Sequence, residues 1–297
     1  MIQKIADNVF VDTEYDGVNV GAVITERGAI AIDIPSYPRD ARDWVMQVHQ
    51  LSPHPPQALL LTDSHGDRLI NSRWLNAPLY AQTATAEKIN SYDKKYPHAL
   101  LESLITRNQE KGRDLHNSPV ERPSLSFSKD MWIYKGSLHI HAIAMPGPAK
   151  GSIWVHIPQR GILFVGDSVT ANGHPLLSDG SILEWLESLK TLQQWPDPIQ
   201  AIVPGRGPIC TLADVQPVID YVQLIINRVE THIQQDKPRE ELTTYLPELL
   251  AYFPANKLPI EWLKRQIRHG LAQAYDEIKL KHTEHAMPAS ADNTAVN

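Results

Sequence analysis

Ala58-Leu59-Leu60-Leu61-Thr62-Asp63-Ser64-His65-Gly66-Asp67-Arg68 decides how this chain folds. The five residues 58–62 carry no charge, follow the connector Pro53-His54-Pro55-Pro56, and have the length and composition of a buried strand. The run then empties into six residues bearing two carboxylates, an imidazole and a guanidinium. Reactive polar groups therefore sit at the C-terminal end of a strand.

Upstream, the β-rich runs 18–25 and 29–34 flank Glu26-Arg27-Gly28, a turn of hairpin length. Asp33 leads into Ser36-Tyr37-Pro38, a helix start, and Ala41, Trp44, Val45, Val48 and Leu51 recur at helical spacing. Downstream, a short strand over 79–81 and a helix over 83–90 complete a β-α-β-α rhythm. Residues 91–137 are polar, with one amphipathic patch at Leu100, Leu101, Leu104 and Ile105, and are read as an inserted helical lid. Strands resume over 138–144, 152–158 and 162–166. A helix follows over 181–192, with Ser181 and Glu184 at capping-box spacing. The last strand, 201–203, runs into Pro204-Gly205-Arg206-Gly207-Pro208. Beyond it Thr211 and Asp214 open one long helix and Pro259 another, so residues 211–282 read as a helical extension of a domain spanning 1–210. Residues 283–297 have almost no large apolar side chains and are expected to be disordered.

A net charge of -6 provides no dense positive surface, which argues against a nucleic-acid partner. The single cysteine, Cys210, excludes a disulfide framework and a Cys-based zinc ribbon. No window reads as a signal peptide or a membrane span, so a cytoplasmic protein without a membrane partner is expected.

The strand and polar loop at 59–68, the turn Met145-Pro146-Gly147, the strand ending Phe164-Val165-Gly166-Asp167, and Val203-Pro204-Gly205-Arg206-Gly207 together resemble the metallo-β-lactamase superfamily over roughly residues 19–208. The resemblance implies an α+β fold, a four-layer αββα sandwich, with loops at one edge that hold one or two divalent metals. A water on such a metal, its pKa brought down towards neutrality, attacks esters, amides, thioesters or phosphoesters.

The residues at the family's ligand positions differ. Its first motif reads Thr-His-x-His-x-Asp-His, where this chain has Thr62-Asp63-Ser64-His65-Gly66-Asp67-Arg68. The next histidine is replaced by Pro148, the bridging carboxylate is present as Asp167, and the last histidine is replaced by Arg206. The first metal would face Asp63, His65, Pro148 and Asp167, a set suited at most to weak binding of one divalent ion such as Mn, Mg or Zn through Asp63, His65 and Asp167. The second would face Asp67, Arg68, Asp167 and Arg206, and a guanidinium repels a cation. Arg68 and Arg206 are expected to pair with Asp67 and Asp167 where the second ion would stand. No cofactor is expected on this reading.

Other residues have plainer alternatives. His174 lies just after the Asp167 loop and is read as a pocket residue, with a surface-loop position equally open. His139 and His141 share one strand face and read first as a solvated or covered face, not a metal pair. Asp33 is placed to orient His65, or to start a helix. Cys210 reads as a buried spectator thiol, and neither Ser64 nor Ser168 has a nucleophile setting. Three functions follow from these residues. The first is a degenerate-site protein binding an anionic or polar small molecule near Arg68 and Arg206, the second a mononuclear hydrolase of an ester, lactone or thioester, and the third a non-catalytic scaffold that forms a homodimer through its helical extension.

Overall fold

A computed structural model describes residues 1–286 of the chain. Two sheets lie face to face. The first runs in chain order through β1 (Gln3–Ala6), β2 (Val9–Asp12), β3 (Val20–Thr25), β4 (Gly28–Ile32), β5 (Ala58–Leu60), β6 (Leu79–Gln82) and β7 (Leu125–Phe127). It is antiparallel from β1 to β4 and parallel from β4 to β7. The second has the order β12 (Ala201–Arg206), β11 (Ile162–Thr170), β10 (Ile153–Ile157), β9 (Leu138–Ala144) and β8 (Asp130–Lys135), antiparallel except for the β11/β12 pair.

The helices are α1 (Pro38–Leu51), α2 (Gly66–Leu69), α3 (Thr83–Ser91), α4 (His98–Arg107), α5 (Gln109–Gly112), α6 (Ile182–Gln193), α7 (Gln216–Gln234), α8 (Leu246–Tyr252) and α9 (Ile260–Ala286). Strand periodicity sorts the side chains between layers. Ala58 and Leu60 point inward with Ile30 and Ile32, against Val155, Phe164 and Val203 of the second sheet. Leu59 and Leu61 point outward with Ala29 and Ala31, against Trp44 and Val48 of α1. In the second sheet Leu163, Val165 and Ile202 face outward onto Trp185 and Leu189 of α6 and Val222 of α7. Because both faces of each central strand are covered, the sequence shows continuous apolar runs instead of alternation. The result is a four-layer αββα sandwich whose outer layer on the second sheet is thickened by α7, α8 and α9.

Three elements differ from the sequence reading. Residues 91–137 are not one helical lid: α4 and α5 occupy the first half, while β7 completes the first sheet and β8 edges the second. Their strand pattern is only a few residues long, with Ile133 buried between exposed Trp132 and Tyr134. β1 and β2 form an unanticipated hairpin around Asn8, whose φ of 66° makes the turn. Helix α9 continues to Ala286, past the point where the tail was expected to begin, and the remainder, 287–297, lies outside the described residues. Among the described residues no helix is long and apolar enough to cross a membrane.

His139 and His141 lie on the outer face of β9 beside the β8 aromatics. His141 stacks on Trp132 with 3.9 Å between ring centroids and pairs with Asp130 through Nε2 at 2.9 Å, while His139 meets Tyr134 edge-on at 4.8 Å. These contacts account for both imidazoles as parts of a sheet surface.

The helical extension is tied to the sandwich at the start of α6. Ser181 Oγ accepts from the Glu184 N–H, but the carboxylate completing the cap is Glu277 of α9, which accepts from Ser181 Oγ at 2.5 Å and from the Ile182 N–H at 2.8 Å. Glu277→Ala should therefore destabilise the whole chain by about 1–2 kcal/mol, as loss of a charge-assisted helix cap does. Urea unfolding should show a lower midpoint and an unchanged slope.

Candidate functional site

Several strand ends converge at one edge of the sandwich. Asp33 follows β4, residues 61–65 follow β5, Asp167 lies in β11 and Arg206 closes β12. Asp33 adopts φ 56°, which turns its carboxylate back towards Thr62. Its Oδ1 accepts from the Thr62 N–H at 2.8 Å, and its Oδ2 accepts from Thr62 Oγ1 at 2.6 Å and Arg68 Nη1 at 3.1 Å. Thr62 Oγ1 in turn accepts from Arg68 Nη1 at 2.6 Å. Asp33 therefore holds Arg68, not His65.

Arg68 is 0% exposed and is surrounded by carboxylates. Its Nη2 lies 2.5 Å from Asp167 Oδ1, and its Nε lies 3.2 Å from Asp63 Oδ1 and 3.8 Å from Asp67 Oδ1. Arg206 donates through Nη2 to Asp67 Oδ2 at 2.6 Å and Asp167 Oδ2 at 2.9 Å, and through Nε to Asp167 Oδ1 at 3.2 Å. Sequence reasoning missed a third guanidinium. Arg107, at the end of α4, donates through Nη1 to Asp67 Oδ2 at 2.9 Å, and its guanidinium carbon lies 5.5 Å from the Trp262 ring centroid. Nothing in the local sequence of Arg107 marks it, because it reaches the cluster only through the way α4 docks.

The cluster sets four carboxylates, Asp33, Asp63, Asp67 and Asp167, against three guanidiniums. Burial alone would raise Asp67 and Asp167, yet Arg206 and its neighbours hold both well below the usual carboxylate range. One negative charge remains unmatched, and two groups respond to it. Burial pushes the Asp33 carboxyl up to about 7 against the opposing pull of Arg68. His65 would be lowered by burial, but Asp63 and Asp167, 3.1 Å and 3.4 Å from its Nδ1, raise it above its ordinary value. A proton on either group brings the cluster to neutrality.

The structure brings Asp63, His65, Asp67, Arg68, Asp167 and Arg206 together. Pro148 does not join them: it is buried in the loop after β9, where its carbonyl accepts from the Ser178 and Gly180 N–H groups, and it lines neither of the clefts described next. His174 is also apart from the carboxylates, packed edge-on against Tyr221 and Phe253 at 6.0 Å and 5.9 Å. A cleft of about 500 Å³ opens beside His65, Asp67 and Asp167, and another of about 600 Å³ opens beside Tyr37 and His174. Arg107 and Arg206 line both clefts, whereas Arg68 lines neither. Of the three guanidiniums, those a ligand can reach are therefore Arg107 and Arg206, with Lys88 in the wall of the first cleft and Lys257 in that of the second.

Among the described residues the donors placed for a metal are Asp63, His65 and Asp167, whose ligand atoms lie within 4.8 Å of one another. A family model for the metallo-beta-lactamase superfamily matches residues 16–206. The chain belongs to this superfamily. It is 33% identical over 94 residues to a hydroxyacylglutathione hydrolase from Bartonella henselae, covering 32% of this chain and 35% of that protein. It is 23% identical over 203 residues to a metallo-beta-lactamase type 2 from Pseudomonas aeruginosa, covering 64% of this chain and 71% of the relative. The chain thus spans only about a third of the length of the first of these. Among solved structures, a metallo-beta-lactamase from Pontibacter korlensis superposes with TM-score 0.59 at 20% identity, covering 75% of this chain and 98% of that one. A stereoselective inverting sec-alkylsulfatase from Pseudomonas sp. reaches TM-score 0.66 at 14% identity and covers 93% of this chain and 49% of that one. At 93% coverage, this likeness of fold extends into the C-terminal helices.

Arg68→Met should leave Asp33 and Asp63 buried without their guanidinium, and Asp167 with Arg206 alone, and destabilise the chain by about 3–5 kcal/mol. Gly205→Ala should also destabilise the chain, since a Cβ there would run into Asp167 Oδ1 and into the backbone of Gly166 and Asp167. Denaturant unfolding should show both losses.

Burial lowers the imidazole pKa of His174, near Phe253 and Leu250, and of His156, near Asp197, below the ordinary 6.5. Each contribution to stability is then complete above the unfolded-state pKa and is lost as pH falls through the folded value. NMR titration should place both transitions below 6.5, and His174→Leu should flatten the fall in stability on the acid side.

Proposed function

We propose that this chain is a superfamily member in which guanidinium groups have taken over the charge balance of the two-metal centre. On this reading it binds a small polar or anionic molecule beside Arg206 without metal-dependent hydrolysis. The observation that carries this reading is the state of Asp167, the carboxylate at the bridging position. Its Oδ1 faces Arg68 Nη2 at 2.5 Å, and its Oδ2 accepts from Arg206 Nη2 at 2.9 Å. The donor set does not fit two metals: a second cation would have to enter against Arg68 and Arg206, which remain protonated in any protein.

One observation favours an alternative. Asp63, His65 and Asp167 are close enough to hold a single divalent ion, which would make the chain a mononuclear hydrolase of an ester, lactone or thioester, in keeping with relatives named as hydroxyacylglutathione hydrolases and metallo-beta-lactamases. Such an ion would have to share Asp63 and Asp167 with a fully buried Arg68.

Metal analysis and thermal unfolding separate the two readings. The purified chain should carry well under one zinc or manganese per molecule, and neither added metal nor chelator should move its melting temperature. A metal present at 100 times its Kd would add about 2.7 kcal/mol of stability. An ester, lactone and thioester panel should show no turnover that depends on Mn²⁺ or Zn²⁺. Stoichiometric metal together with chelator-sensitive turnover would establish the mononuclear hydrolase instead.

A further inference from the structure

The two clefts adjoin across shared lining residues, Arg107, Leu176 and Arg206. Both guanidiniums at this junction have unused donors. Arg206 is anchored through Nε and Nη2, and Arg107 through Nη1, whereas Arg206 Nη1 and Arg107 Nη2 make no hydrogen bond to the described residues. Guanidinium N–H groups without a protein partner suit a tetrahedral or planar oxyanion. A further polar atom lies in the first cleft: Ser64 lines it, is 1% exposed, and its Oγ has no hydrogen-bond partner among the described residues. A buried hydroxyl without a partner is costly unless a ligand or water completes it.

Each wall sets apolar or aromatic side chains among polar ones. Leu100, Leu104 and Trp262 line the first cleft, and Tyr15, Tyr37 and Leu258 the second. Glu14 and Asp16 stand in the second wall, with Lys257 in the same wall and Lys111 3.0 Å from Asp16. At about 500 and 600 Å³, each cleft has room for a ring-sized substituent.

We propose that the two clefts are lobes of one binding groove for a molecule with a central oxyanion, such as a carboxylate, sulfonate or phosphate diester, flanked by two apolar arms. Arg107 and Arg206 meet the anion, and each arm occupies one lobe. The proposal rests on the reading that these guanidiniums balance charge in place of a metal, but it makes a separate claim about shape.

The test is calorimetric titration of the full chain with dibenzyl phosphate, which has both arms and the anion. Benzyl phosphate, which lacks one arm, and neutral 1,3-diphenylpropan-2-ol serve as comparisons. Dibenzyl phosphate should bind roughly tenfold or more tightly than either. Ala99→Trp fills the first lobe and Thr13→Trp the second, both away from the charge cluster. Each should bring dibenzyl phosphate down to the affinity of benzyl phosphate, and Arg206→Gln should remove the preference over the neutral compound. Equal affinity for the one-armed and two-armed phosphates, indifference to both tryptophan substitutions, or no binding of any probe would overturn the two-lobed groove. Metal analysis of the same sample decides the charge-balance reading independently: a metal-free protein that fails this titration refutes only the groove, whereas one that holds metal stoichiometrically refutes the underlying reading.

Discussion

Arg68 is the residue on which the geometry of this edge depends. A guanidinium with no solvent contact is tolerated only when its charge is answered on several sides. Here the four answering carboxylates come from three places in the chain: Asp33 after β4, Asp63 and Asp67 around α2, and Asp167 in β11. The cation therefore ties strand ends of both sheets into one polar joint. Thr62 completes that joint, since its hydroxyl donates to Asp33 and accepts from Arg68. Without the positive charge the carboxylates would repel one another in a region where water cannot screen them.

The rest of the site depends on this joint. Because Arg68 holds Asp63 and Asp167, His65 is left with Nδ1 facing the far oxygens of both carboxylates. Arg206 and Arg107 share Asp67 from opposite parts of the chain, one from the last strand of the second sheet and one from α4. Asp67 thereby connects the sandwich to the segment between β6 and β7. The hydrophobic layers set the positions of these elements, and the ion pairs fix the side chains at their ends.

The fold could be read from the sequence because burial leaves a strong periodic trace. The runs around Leu59, Ile30 and Leu163 are apolar on both faces, and the Trp185 and Val222 helices carry a clear apolar stripe. The short strands β1, β2, β7 and β8 were not legible, because a few alternating residues at a sheet margin resemble loop sequence. At the site, Asp63, His65, Asp67, Arg68, Asp167 and Arg206 were legible through motif order. Arg107 was not, since the packing of α4 against α9, with Ser103 Oγ 3.3 Å from Trp262 Nε1, determines where its side chain ends. Pro148 shows the opposite limit: a family position identified by alignment of motifs, but occupied by a buried proline whose carbonyl is taken up by the loop's own N–H groups.

Helix α9 has a mechanical consequence. Trp262 near its beginning roofs one cleft, and Glu277, roughly four turns later, closes the N-terminus of α6. The two contacts depend on each other through the screw of a single helix: adding or deleting one residue between them would rotate one relative to the other by about 100° and shift it by about 1.5 Å. The spacing between roof and cap is thus a fixed gauge, and the chain can change freely in that span only by exchanging residues, not by altering their number.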